Sequence, residues 1–194
     1  MRLRTFKLIA AVLTSLPITA FAETFSYSFV DVAAFPVAKV DAGSIDENGD
    51  GLQLRGSLPV YDNFFVFTEF QDLSLDRSVD TTRLMIGGGA HFPIDSKMDI
   101  VARVGVVNLQ VDVGGFDDDD TGIFFGARLR AMIAPRIEVE GGFEHQRVRA
   151  GSLDNDTHLV GEARYNFTSQ FSAGVLLNVG GDTSVFGVQG RFNF

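Results

Sequence analysis

The pair best spaced for chemistry is Asp156 and His158, in the run Asp156-Thr157-His158. On a strand, residues two apart share a face, so the carboxylate can orient the imidazole while the ring takes a proton from water. His91 and His145 have no serine beside them, which argues against nucleophilic catalysis of the His–Ser kind. Asp46-Glu47-Asn48-Gly49-Asp50-Gly51 matches the first half of a Ca²⁺ loop, D-x-N-x-D-G, but the twelfth position is Ser57 in place of a bidentate glutamate. Asp117 to Asp120 is a second acidic cluster, whose adjacent carboxylates repel unless solvent or a cation screens them. Both are expected to be solvated loops, with a weak divalent cation as the one ion partner. Cysteine is absent, and no zincin, P-loop or nucleophile-elbow motif occurs. The expectation is a protein that is not an enzyme and uses no cofactor.

The elements that must position these residues are strands. After residue 22 apolar side chains do not recur at three-and-four spacing, and glycine is scattered through every segment. Alternating segments recur instead, over approximately 24–38, 51–59, 64–72, 82–92, 98–111, 121–133, 137–147, 157–167, 171–179 and 184–194. Short turns lie at Pro59 to Asn63, Pro93 to Lys97, Ala134 to Arg136 and Thr168 to Gln170. Longer acidic connections lie at Asp41 to Asp50, Asp72 to Thr81, Asp112 to Asp120 and Arg149 to Asp156, with a brief one at Gly180 to Thr183. Four turns and five loops make ten strands. The fold class read from this pattern is all-β: an antiparallel, up-and-down transmembrane β-barrel of ten strands, with eight as the smaller alternative.

Both chain ends fit an exported barrel. Arg2, Arg4 and Lys7 precede an apolar stretch from Leu8 to Ala20, followed by Ala20-Phe21-Ala22, the pattern of a secretory signal peptide over residues 1–22. The stretch is too short to span a membrane as a helix. The barrel would then occupy residues 23–194. Removing Arg2, Arg4 and Lys7 takes the net charge from −9 to −12. At the other end Phe186, Val188, Phe192 and Phe194 alternate with polar residues, an apolar outer face closing on a terminal phenylalanine. That ending is the expected C-terminal signal for insertion by the barrel assembly machinery. A soluble β-sandwich would also use short alternating strands, but it gives no reason for the terminal phenylalanine.

Assigning the more polar face of each strand to the interior places seven arginines there: Arg55, Arg83, Arg103, Arg128, Arg130, Arg164 and Arg191. Seven carboxylates share that face: Asp31, Glu69, Asp99, Glu138, Glu140, Glu144 and Glu162. Unpaired buried charge costs several kcal/mol per group, so equal numbers on one face imply a paired network in the lumen. Across the Ala134 to Arg136 turn, Arg130 should sit opposite Glu140. Phe25, Tyr27 and Phe29 share the parity of Asp31, so a register change or bulge is expected between them. Inward glycines, among them Gly87, Gly89, Gly105, Gly126, Gly142 and Gly187, would leave room for guanidinium stems. Ten strands enclose little more than their own side chains, so the lumen should be filled. The remaining acids then sit outside the lumen, giving acidic outer loops that disfavour nucleic acid as a partner. Outer-membrane lipids and lipopolysaccharide are the expected surroundings.

Two resemblances bear on function. Asp156-Thr157-His158 resembles the D-x-H of the omptin proteases, which are much longer barrels with a second acidic pair opposite, for which only Asp76 or Asp80 could stand in here. Ser28-Phe29-Val30-Asp31, Asn63 to Phe67, Asp99 to Val104, Gly126 to Ala131 and Gly187 to Phe194 together resemble a family of small outer-membrane barrels released in vesicles and linked to diffusible-signal regulation. This chain has Ala33-Ala34 where that family usually has a glycine pair, and an extra acidic third loop. The second resemblance implies an outer-membrane location in a Gram-negative envelope and no defined activity. The function expected is structural or surface-interactive, the alternative being a narrow porin-like channel for small solutes or ions.

Overall fold

The computed structural model describes residues 25–42, 45–75, 79–148, 155–181 and 183–194. The leader expected over residues 1–22, the candidate Asp76 and most of the Arg149 to Asp156 connection lie outside the described residues. Ten strands form a closed antiparallel barrel in which each pairs with its sequence neighbours and the last pairs with the first. They are β1 Phe29–Ala42, β2 Ile45–Tyr61, β3 Phe64–Leu75, β4 Val79–Asp95, β5 Met98–Val113, β6 Phe116–Ala134, β7 Ile137–Arg147, β8 Asp156–Asn166, β9 Phe171–Val179 and β10 Thr183–Asn193. Closure removes every lateral edge, which a ten-stranded open sheet would have to protect.

Alternation gives the wall two faces. On β3 the burial pattern is strictly alternating, with Phe65, Phe67, Glu69, Gln71, Leu73 and Leu75 turned inward. Outward positions carry an apolar belt such as Val32, Leu54, Ile86, Val104 and Val188. Aromatic residues rim it at one end: Phe64, Phe92, Tyr165, Phe171 and Phe192 point outward near the short turns, whereas Phe70, Phe125, Phe143 and Phe186 lie among the aliphatic positions, Phe70 opposite Leu54 and Phe125 opposite Val104. An outward apolar band with an aromatic rim is the kind of surface a barrel presents to lipid.

The strands extend past the expected limits at the loop end. Asp117 to Asp120 belong to β6, where they pair with Asp112 to Leu109 of β5, so this cluster is not a loop. Gly114 and Gly115, with φ of 61° and 92°, make the two-residue turn between them. Two successive positive φ values are what a type I′ hairpin turn requires. Asn48 to Gly51 likewise sit in β2, and among the described residues no group of acidic or histidine side chains is arranged to hold a metal ion. The wall is uneven as a result: β1 to β6 run 12 to 19 residues, whereas β7 to β10 run 9 to 11. β6 continues from Gly122 to Phe116 past its last ladder pair with β7, Ile123 with Arg147, an overhang on the order of 20 Å along the strand. Charge on a strand standing above its neighbour discourages edge-to-edge pairing, which gives the four aspartates a structural reason.

The irregularity in β1 is displaced from where it was expected. Phe25, Tyr27, Phe29 and Asp31 all face inward in one continuous register, and the bulge falls after Ala34 and Phe35 instead. Three of the inward glycines make room for aromatic rings and not for arginine stems. A Cβ on Gly89 would lie 2.2 Å from the Phe65 ring, and Gly105 and Gly187 similarly receive Phe124 and Phe35.

Candidate functional site: the lumen

The lumen is layered. At the turn end the inner face is aromatic: Phe25, Tyr27, Phe65 and Phe67 are buried, and Tyr27 stacks on His91 at 4.0 Å and on Phe65 at 5.1 Å. At the loop end it is aliphatic, with Leu73, Leu75, Val79, Leu109, Val111 and Val148 buried. Most of the charge lies in the middle of the wall, with Asp99 set in the aromatic layer and Asp156 and His158 at the loop end of β8 beside Thr81 and Gln146. The inner face is therefore mixed, with apolar side chains concentrated at both ends, where they pack as in a protein core.

Within the middle layer the side chains form one connected network. Arg55 reaches Asp31 at 2.6 Å, Glu162 at 2.5 Å and the Oε1 of Gln189 at 2.8 Å. Arg191 donates twice to Asp31, through Nε at 2.6 Å and Nη2 at 2.7 Å, which joins β10 to β1 across the closing seam. Arg164 binds Glu162 and Glu138, and reaches Glu140 at 3.3 Å. Arg128 reaches Glu140 at 3.1 Å and both Glu144 and Glu162 at 3.4 Å. Arg103 links Glu144 at 3.3 Å to Glu69 at 3.4 Å, and Arg83 meets Glu69 at 2.9 Å. Glu69 also accepts from Gln53 at 2.9 Å. The planar guanidinium fork lets one arginine satisfy two or three carboxylates, so a few strands' worth of side chains can fill a cross-section.

Two pairings differ from the simple hairpin expectation. Arg130 is opposite Glu140 in the ladder, yet its Nε donates to Glu138 at 2.6 Å, while Arg128 takes Glu140. Asp99 binds no arginine among the contacts of the described residues. It accepts from the Tyr27 hydroxyl at 2.9 Å and lies 3.4 Å from Nδ1 of His91. Burial pushes the Tyr27 phenol well up from its ordinary range, against the pull of Arg130, so it remains a donor. Arg130 covers the rings of Phe25 and Tyr27 at 4.8 Å and 5.0 Å and donates to the Ser26 carbonyl at 3.0 Å. The segment before β1 is thus held in the turn-end mouth by stacking, a cation–π contact and hydrogen bonds.

The D-x-H pair lies on the inner face of β8, buried, with Nε2 of His158 3.5 Å from Asp156. Asp156 is an inward acid that the count of seven omitted. Asp80 is exposed on the opposite parity of β4 from the inward Thr81 and Arg83, so it does not complete a catalytic set with His158. His145 lies on the outer face, bonded to Thr157 at 2.8 Å. At the C-terminus Phe186, Val188 and Phe192 are outward on β10. Phe192 stacks with Phe171 at 5.0 Å and Phe194 at 6.2 Å. The Phe194 amide closes onto the Ser28 carbonyl at 3.1 Å. The role of Tyr27, His91 and Phe25 had no motif to mark it. For Phe25 and Tyr27, shared parity with Asp31 was the available signal.

No family model matches the chain, and no curated protein matches it in sequence. Solved structures do resemble it. The β domain of the Bordetella autotransporter BrkA is similar at a TM-score of 0.58 with 8% identity, over 88% of this chain and 100% of that one. Neisserial surface protein A is similar at 0.47 with 12% identity, over 86% and 96%, and the N-terminal barrel domain of Pseudomonas aeruginosa OprF at 0.45 with 12% identity, over 88% and 100%. At such identities the BrkA likeness is one of fold, the antiparallel β-barrel.

Proposed function

We propose that this chain is a small integral outer-membrane barrel that does not conduct and that acts through the surface it raises above the membrane. The observation that carries this reading is the lumen, closed by aromatic side chains at one end, aliphatic ones at the other and a connected ion-pair network between. The fold shared with the BrkA β domain, the outward apolar band with its aromatic rim and the leader expected over residues 1–22 support the location. In that orientation the short turns face the periplasm, and the β1 to β6 wall stands outward with Asp72, Asp80 and Asp117 exposed. Release in vesicles, which the family resemblance implies, would follow from residence in that membrane. Lipopolysaccharide and other envelope components are the nearest candidates to meet the raised wall.

Reconstituted into planar bilayers, the purified protein should show no sustained open steps. Steady stepwise conductance would replace this reading with the narrow-channel one. Assembly should depend on the C-terminal phenylalanine: Phe194→Ser is expected to lower the amount of protein in the outer-membrane fraction that shifts on unboiled gels. Unchanged assembly would remove Phe194 from that role. Comparing cells with and without the gene for surface adhesion, vesicle content and leakiness then separates an interaction role from a barrier one.

A further inference from the structure

A cavity of about 50 Å³ lies between the charged layer and the turn-end aromatic layer, large enough for one or two water-sized occupants. Its lining is unusual in sign: five guanidiniums, those of Arg55, Arg103, Arg128, Arg130 and Arg191, face it with two carboxylates, Glu69 and Glu140. Charge is uneven through the network as well. Seven arginines are joined by ion pairs to six carboxylates, while Asp99, opposite Arg130 in the ladder, is engaged by Tyr27 and His91 instead. Four donors on residues lining the cavity are buried without a hydrogen-bond partner: Nε of Arg55, Nε of Arg128, Nη1 of Arg191 and the Ser57 hydroxyl. Each belongs to a residue more than nine-tenths buried. Unsatisfied donors on buried cations are costly, and one anion among them would supply the missing acceptor.

We infer that this cavity binds a small monovalent anion of halide size. Tyr27, Phe65 and Phe67 wall it on the turn side, so the anion would be enclosed as the barrel closes and would act as part of the network. This inference does not require the lumen to be non-conducting. The site would persist in a channel, and conductance and anion occupancy are separate measurements.

The test is to refold the protein from urea into detergent in sodium chloride, sodium bromide or sodium gluconate at equal ionic strength, and to measure the midpoint of the heat-induced gel shift. Chloride and bromide should raise it saturably, by roughly 5–10 °C at about a hundred times the dissociation constant, and gluconate should not. Ser57→Asp, which places a carboxylate in the cavity, should remove that dependence. If Ser57→Asp does not fold, bromide-grown crystals of the unmodified protein give the second readout. An anomalous peak in the cavity supports the site. Equal midpoints in all three salts, or an empty cavity in bromide, would overturn it and leave water as the occupant.

Discussion

Glu162→Gln should be among the most damaging single changes in the wall, lowering stability by about 3–5 kcal/mol. Glu162 lies 6% exposed and accepts from Arg55, Arg128, Arg164 and Gln189, so four strands converge on one carboxylate. Glutamine keeps the shape and removes the charge. Arg55 would retain Asp31, but Arg164 would be left with Glu138 and Glu140, and the net positive charge of the layer would rise. Urea unfolding of the barrel in lipid vesicles measures the cost. Arg147→Gln on the outer face is the control, expected within about 0.5 kcal/mol of the parent. Equal effects would mean that the layer is solvated and its pairs are worth no more than surface ones.

Tyr27→Ala is expected to cost a similar amount, about 3–5 kcal/mol, through a different route. The ring is 5% exposed, sandwiched between His91 and Phe65 and covered by Arg130, so truncation leaves a cavity at the mouth as well as an orphaned Asp99. Tyr27→Phe isolates the second part. It keeps the stack and loses only the hydroxyl, so it should cost about 1–3 kcal/mol, the penalty for a buried acceptor left short of a donor. Thermal midpoints of the two variants, read by the gel shift, must therefore fall in that order. If Tyr27→Phe were as damaging as Tyr27→Ala, stacking would contribute little and the hydrogen bond to Asp99 would carry the mouth.

The strand count and the inward parity of the charged residues were legible because a strand's period of two is independent of what the lumen contains. Arg128, Arg130, Glu138 and Glu140 show their face by spacing alone. Partner choice was not legible, since Arg130 prefers Glu138 over the residue opposite it, and side-chain reach in a filled lumen exceeds one ladder position. The rule that polar side chains face inward misled at both ends. It made Phe25, Tyr27 and Phe29 look out of register, when their inward placement is what fills the mouth. Strand ends were misplaced for a related reason. Asp and Gly usually signal loops, but in a tall barrel wall they can continue a strand, as Asp117 to Asp120 do in β6.

The seam between β1 and β10 has a kinetic consequence. Asp31 and Arg191 are 160 residues apart, and their bidentate pair forms only when the chain has gone once around the barrel. Contacts of such separation repay their loop-closure entropy late, so the barrel belongs with slowly folding, high-contact-order topologies. Until that last pairing, β1 and β10 are both open edges beside a half-neutralised row of arginines. An incomplete chain has no way to bury either one.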